Sequence, residues 1–504
     1  MRKIQLLVIL LILCSPLFSQ EEEGISVPPD SVFIVNSFVF NIDGYTKTYA
    51  LINKGDLITG QEITGLSNLE KYVIEKTQLL YNERVLESVS INYSIGNMRE
   101  DGKYPVDFVI NVKDTWNMVA IPRPMYSSNS GFEITIKARD YNFLGTMSPL
   151  RIDLGYRYDE EKRNYFLFML DSNIPFRLFD LNWNFKFVNY FNYRPNMEEP
   201  LYYKNITGLS VELPFRTTTI TAGFDESVYI NEENSDSDRI LYGDIQEGFF
   251  LSSNPYVSWK IPTNVQIGNW GELIYTPKIS AVINHEFSQW PLIETRKGPF
   301  LTFDHSLGFE RIDWIGNFLR GFNVEVYNSI QYDFYKLRRD TQPLSGEIKL
   351  SGIGHFIIND FFGVSSRLMY RQWLSYDNGY EKAGDVMRGI LDKDIRADYM
   401  FSLNLDLPIR VLRFKPSQWF NNQKLRVFNF DLHFVPIIDA ALFHNPAGEK
   451  AANFDNVLVT GGFEVIIFPD FFRSLFLRIS AAFEMSKLSK RNDVELFIGT
   501  DLHY

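Results

Sequence analysis

Leu150-Arg151-Ile152-Asp153-Leu154-Gly155-Tyr156-Arg157-Tyr158 is the stretch whose reading decides the fold. Successive side chains on an extended strand point to opposite faces. Leu150, Ile152, Leu154, Tyr156 and Tyr158 therefore share one face, and Arg151, Asp153, Gly155 and Arg157 share the other. A helix, with its period of 3.6, does not sort these residues. One face suits hydrocarbon and the other suits water. The same split recurs in Leu181, Trp183, Phe185 and Phe187 against Asn182, Asn184 and Lys186, and in Leu475, Leu477, Ile479, Ala481 and Phe483 against Arg478, Ser480 and Glu484. From Met118 onward, strands of about ten residues follow one another without helical periodicity. A soluble sandwich alternates too. The aromatic and aliphatic outer face, sustained over so many strands, points instead to a transmembrane antiparallel β-barrel, closed because unpaired peptide groups are intolerable in hydrocarbon. The 43 Phe and 27 Tyr fit aromatic girdles on such a barrel.

The last strand places Val494, Leu496, Ile498, Leu502 and Tyr504 outward and Glu495, Gly499, Asp501 and His503 inward. Its end, Gly499-Thr500-Asp501-Leu502-His503-Tyr504, resembles the terminal assembly signal of outer-membrane barrels, with Gly499, Leu502 and Tyr504 as the matching positions. Phe497 stands where that signal usually has a polar residue. A barrel with both ends on one side of the membrane needs an even number of strands and gathers its longer loops on the other side. Residues 194–205, 231–248, 288–297 and 337–345 are the longer connections, and all fall on one side. A literal count gives about 18 strands, and residues 346–373 are where a miscount would sit.

The N-terminus reads as a secretory signal over residues 1–19: basic Arg2 and Lys3, an apolar core at residues 6–13, and Leu17-Phe18-Ser19 before Gln20. That core is too short for a helical span of about 20 residues. Cys14, the single cysteine, lies inside the signal, so the mature chain is expected to hold no disulfide and no thiolate metal site. Bulky Leu13 before it disfavours a lipoprotein reading. Without Arg2 and Lys3 the formal charge goes from -12 to -14, which repels polynucleotides.

Residues 20–30 read as a linker and residues 31–115 as a compact α+β unit, followed by the barrel over 116–504. Residues 31–42 alternate as a strand that stops at Asp43-Gly44, and Thr46 is placed to cap a short helix through Ile52. Leu66, Leu69, Tyr72, Val73 and Leu80 recur at helical spacing; residues 85–93 and 106–112 are two further strands. This order, with Asp43-Gly44, Lys54-Gly55-Asp56 and residues 80–89, resembles a POTRA domain, the polypeptide-binding module of the BamA superfamily. That pattern usually has Gly where Arg84 stands and Phe where Leu86 stands.

Two barrel motifs extend the resemblance. Residues 139–146 look like the first periplasmic turn of a BamA-type barrel, and Met387-Arg388-Gly389-Ile390 looks like its Arg-Gly loop, with Ile390 in place of the usual aromatic. The rival Leu319-Arg320-Gly321-Phe322 matches the letters better, but parity puts it in a short turn on the wrong side, whereas five strands follow Arg388, as the resemblance requires. The resemblance implies a loop folded back into the lumen whose arginine pairs with carboxylates on the next two strands. Asp439 is the candidate on one, beside Asn429, Asp431 and His433 on the inward face, and Asn404 or Asp406 on the other. It also implies 16 strands.

On the first strand, Pro122 and Pro124 lack N–H donors, so the seam with the last strand is expected to be short of hydrogen bonds around Ile121, Pro122, Pro124, Ile498 and Gly499. The alternative is that the prolines only bound a linker. What the resemblance implies for function is assembly or translocation of polypeptides. The chain would sit in the bacterial outer membrane with its N-terminal domain in the periplasm, and unfolded outer-membrane or secreted polypeptides would be its clients. Its partners would be the lipid bilayer and possible chaperones or accessory lipoproteins. The rival is a non-enzymatic pore whose single domain docks partners. An enzyme is not supported: the six histidines are scattered, no Gly-x-Ser-x-Gly occurs, and Asp304-His305 point to opposite faces. No cofactor and no metal are expected; the acidic run Glu232, Glu233, Asp236 and Asp238 lacks calcium-loop spacing.

Overall fold

A computed structural model describes residues 28–127, 131–158, 164–195, 200–233, 246–339, 342–374, 380–382, 386–390, 394–396, 399–444, 457–485 and 494–499. The signal segment, Asp236 and Asp238 of the acidic run, and Leu502 and Tyr504 of the terminal motif lie outside these residues.

The N-terminal unit runs β1 (Val32–Asp43), α1 (Thr48–Gly55), β2 (Glu62–Thr64), α2 (Leu66–Asn82), β3 (Leu86–Ile95) and β4 (Tyr104–Asp114). Its sheet has the order β2-β1-β4-β3, with β1 parallel to β4 and the other pairs antiparallel. One face of β4 carries Val106, Phe108, Ile110 and Val112, all almost fully buried, and the helices cover that face through Leu51, Leu69, Tyr72 and Leu80. Three-residue β2 is too short to leave a period in the sequence and was not foreseen there. Thr46 does not cap α1: Lys47 is the N-cap and no side chain serves it. Thr46 Oγ1 donates instead to Asp114 at 2.7 Å and accepts from Asn142 at 2.8 Å, and so ties the unit to the barrel.

The rest of the chain closes into an antiparallel barrel, from Met118–Ser127 to Glu495–Gly499, which lie side by side at the seam. Tyr399–Asp406 and Ile409–Phe414 pair with the same two neighbours, so they are halves of one strand. Pro408, without an N–H, interrupts it. Counted this way, the nineteen segments among the described residues make 18 strands. The literal count therefore stands, and the 16 implied by resemblance is corrected. Residues 346–373 hold no miscount; they form two strands, Leu344–Asn359 and Phe362–Trp373, joined by a tight turn.

Outward positions are apolar, with Leu154, Val257 and Ile279 each at least half exposed. Inward positions form ion pairs between strands: Arg157 with Glu133 at 2.8 Å and Arg371 with Glu347 at 2.9 Å on neighbouring strands, and Lys186 with Asp225 at 2.8 Å over Gly208 of the strand between them. Apolar outside and polar inside, with every strand paired on both edges, is the arrangement a bilayer permits. Leu475 departs from its expected outward strand position: it lies in the turn before Leu477–Glu484 and is buried.

The N-terminal unit sits across one mouth of the barrel. Asn82 Nδ2 donates to Asp313 at 2.9 Å, Tyr49 Oη to the Pro175 carbonyl at 3.0 Å, and Thr115 Oγ1 to the Phe471 carbonyl at 2.7 Å. Arg426 pairs with Glu87 at 2.7 Å. These partners belong to separate strand ends and turns around the rim. At Gly145, with φ +75°, an added Cβ would lie 2.1 Å from the Tyr45 carbonyl, so only glycine lets the turn approach the domain.

Candidate functional site

Inside the barrel, Val386, Met387 and Ile390 pack on Met369, Met400, Ala441 and Leu458, fixing the loop that carries Arg388 to the lumen wall. Asn404 Nδ2 donates to the Val386 carbonyl at 2.8 Å. Arg388 is then held by three carboxylates. Its backbone N and Nε each donate to Asp439 Oδ2 at 2.9 Å, and Nη2 donates to Asp439 Oδ1 and Asp406 Oδ1, both at 2.6 Å. Nη1 reaches Glu464 Oε1 at 3.2 Å. The grip on Asp439 is a fork, the geometry in which guanidinium and carboxylate match best. Arg388, Asp439 and Glu464 are nearly inaccessible to solvent, and Asp406 is partly exposed.

Of the sequence candidates, Arg388, Asp439 and Asp406 are therefore brought together, while Asn404 holds the loop's backbone. Glu464 was not foreseen; a single acid at an inward position of an otherwise uncharged run, residues 457–469, was its one signal. His433, on the same face as Asp439, lies instead between the tilted rings of Phe318 and Phe468, with centroids 4.7 and 4.8 Å away. Asp431 accepts from Asn317 at 3.1 Å across the lumen. An open pocket lies beside this network, lined in part by Trp314, His355, Asp406, His433, Glu464 and Phe468.

The network continues to the seam. Glu464 also accepts from Arg478 at 3.2 Å, and the Arg478 guanidinium lies 4.4 Å from the centre of the Phe497 ring. Arg123, from the first strand, covers the same ring at 4.6 Å, and its Nε donates to the Ile498 carbonyl at 2.6 Å. Phe497 thus occupies its inward position as an aromatic seat for two arginines. Gly389 N donates to the Glu495 carboxylate, a second tie from the loop to the last strand. Gly389 has φ +85°, and a Cβ there would lie 2.7 Å from Phe483 N, so the loop touches the penultimate strand at van der Waals range.

The seam residues divide by face. Ile121 opposes Lys137 and faces the lumen, while Pro122 opposes outward Ile136. Ile498 opposes outward Ile479, and Gly499 opposes inward Arg478. Pro124 opposes outward Ile134.

No family model and no curated protein matches the sequence. Solved structures of similar shape include CdiB from Acinetobacter baumannii, at 10% identity over 93% of this chain and 73% of that one, TM-score 0.49. CdiB from Escherichia coli has 8% identity over 96% and 92%, TM-score 0.45. BamA from Haemophilus ducreyi lacking POTRA domains 1–3 has 13% identity over 92% and 83%, TM-score 0.39.

Proposed function

We propose that this chain is an outer-membrane assembly or translocation barrel: its N-terminal domain stands in the periplasm and receives unfolded polypeptide, and the seam between the first and last strands passes it on. The observation that carries this reading is the character of the seam. Its first strand holds two prolines, which cannot donate to the ladder, and the Arg123 side chain reaches from that strand to the Ile498 carbonyl of the last one. A closed edge held by side chains opens at lower cost than a full ladder, and an opened edge templates an incoming strand through the same backbone pairing. The Arg388 loop is the brace that sets how firmly the last strand is held.

The test is a locked seam. Arg123→Cys with Phe497→Cys places both thiols on the lumen face across the seam, where the two side chains already meet, and the mature chain has no other cysteine. In proteoliposomes offered a urea-unfolded small β-barrel, the crosslinked protein is expected to lose client insertion and to regain it on reduction. Insertion at the same rate with the seam locked would sink the proposal and favour the plain pore.

A further inference from the structure

Strands that end at the mouth covered by the domain are joined by minimal turns at residues 179–180, 216–217 and 316–317. Residues 415–429, between Ile409–Phe414 and Phe430–His444, make a longer excursion that holds a helical turn, Pro416–Trp419, and a 3₁₀ turn, Gln423–Phe428. Polar groups fasten it to the protein. Ser417 and Asn429, both buried, bond each other twice: Ser417 N donates to Asn429 Oδ1 at 3.2 Å, and Asn429 Nδ2 donates to Ser417 Oγ at 2.7 Å. Lys415 Nζ donates to both carboxylate oxygens of Asp470 at 2.6 Å, and Arg426 pairs with Glu87 of the domain at 2.7 Å. The large apolar groups are what the excursion leaves outside. Trp419, Phe420, Val427 and Phe428 are between 45 and 71% exposed.

A cluster of exposed aromatic rings on one short segment is unusual for a surface bathed by water. Polar groups inward and apolar groups outward is the rule of the barrel wall, whose solvent is hydrocarbon. The excursion is continuous with that wall. Phe414 opposes Phe430 on the face that carries outward Phe434 and Ile438, and the Trp419 ring meets Phe414 edge-on at 5.0 Å. Leu412 and the bulged Val411, also exposed, carry the apolar surface on along the strand. Exposed Gln418, Asn421, Asn422, Gln423 and Lys424 lie among the rings. Aromatic rings interleaved with polar and basic side chains suit the boundary between headgroups and acyl chains better than either bulk water or the bilayer core.

We propose that residues 415–429 are a membrane foot, lying in the interfacial layer of the leaflet on the domain's side. Trp419, Phe420 and Phe428 sit at the inner edge of the headgroups, and Lys424 turns toward the headgroups themselves. The patch is covered by the lipid surface and not by a protein partner. Because Arg426 of the same segment holds Glu87, the foot is the place where bilayer, barrel wall and domain are fastened together.

The test places single cysteines in the full mature chain, which has none of its own, and labels each with a nitroxide in nanodiscs of phosphatidylcholine and phosphatidylglycerol. Collisions with oxygen, which concentrates in lipid, are compared with collisions with a water-soluble nickel chelate. Leu154→Cys, on the outward wall, sets the lipid value. Met98→Cys sets the water value: it is exposed in the turn before Tyr104, at the opposite end of β4 from Asp114, which bonds to the barrel through Asn142. Phe420→Cys and Phe428→Cys are expected to show an oxygen-to-nickel ratio roughly threefold or more above that of Met98→Cys. Depth is read separately from Trp419. The emission lost in Trp419→Phe should be quenched more by lipids brominated near the headgroup end of the acyl chain than by lipids brominated at its tip. Ratios at 420 and 428 equal to that at 98 overturn the proposal and leave the patch to a protein partner; emission from Trp419 that neither brominated lipid quenches overturns it as well.

Discussion

At the scale of single residues, Arg388 decides most. It pairs with Asp406, Asp439 and Glu464, and removing it leaves Asp406 and Asp439 without their cation and Glu464 with Arg478 alone. Truncating one partner of a buried pair typically costs about 3–5 kcal/mol. Arg388→Ala is accordingly expected to destabilise the barrel by about that much, read from its unfolding midpoint in detergent. Arg388→Lys, a point charge without the fork, should recover only part of the loss. A double-mutant cycle with Asp439→Asn should show strong coupling, and additive effects would mean that the fork contributes little. Arg123 acts by a different route, since it holds a carbonyl rather than a carboxylate. Arg123→Ala should leave the unfolding midpoint nearly unchanged yet speed hydrogen exchange at residues 495–499 several-fold. Equal protection in both proteins would remove Arg123 from the seam.

At the scale of elements, the alternation that fixes the barrel was legible because each strand position meets either hydrocarbon or water, and a period of two follows directly. What stayed hidden in the sequence depended on contacts between distant segments. Thr46 looks like a helix cap because its neighbours are helical, but Asp114 and Asn142 lie 68 and 96 residues away and compete for its hydroxyl. Phe497 reads as a misfit in a polar position until Arg123 and Arg478 are seen on either side of it. Arg388 and Asp439 were legible as a pair through motif and strand parity, whereas Glu464 required knowing that a third strand curves close enough to share the cation. The loop itself is sharply specified. Gly389 combines a left-handed φ with a close approach to Phe483, so Gly389→Ala incurs backbone strain of about 1–3 kcal/mol and a clash with the strand behind it. The expected readout is loss of the tie to Glu495: exchange at residues 495–499 rises without any change in the strands on the far side of the barrel. Uniform loosening would instead mark Gly389→Ala as a general folding defect.

At the scale of the whole molecule, the domain and the barrel work as a lid and a vessel, and the lid is fastened at several points of the rim. One fastening is sensitive to acid. Burial alone would push the Glu87 carboxyl up, but its hydrogen bond and charge contact with Arg426, helped by Lys113, hold it below the usual glutamate value of 4.5. A carboxylate whose folded value is depressed adds stability above its unfolded value and loses it as pH falls through the folded one. Docking should therefore be unaffected by Glu87 above about pH 4.5 and weaken below it, by no more than about 1 kcal/mol because the pair is partly exposed. Hydrogen exchange across the joint would show this, and Glu87→Gln should abolish the dependence. The larger consequence concerns passage through the barrel. Asn82, Tyr49, Thr115 and Glu87 reach separate strand ends and turns, so the domain spans the opening instead of hanging from one side. In planar bilayers the intact protein should conduct little, and a chain limited to residues 116–504 should conduct several-fold more. A plain pore would show the same steady open current with and without the domain. That result would mean that ions bypass the contacts seen at the rim, and the gating would then have to lie wholly in the loop that carries Arg388.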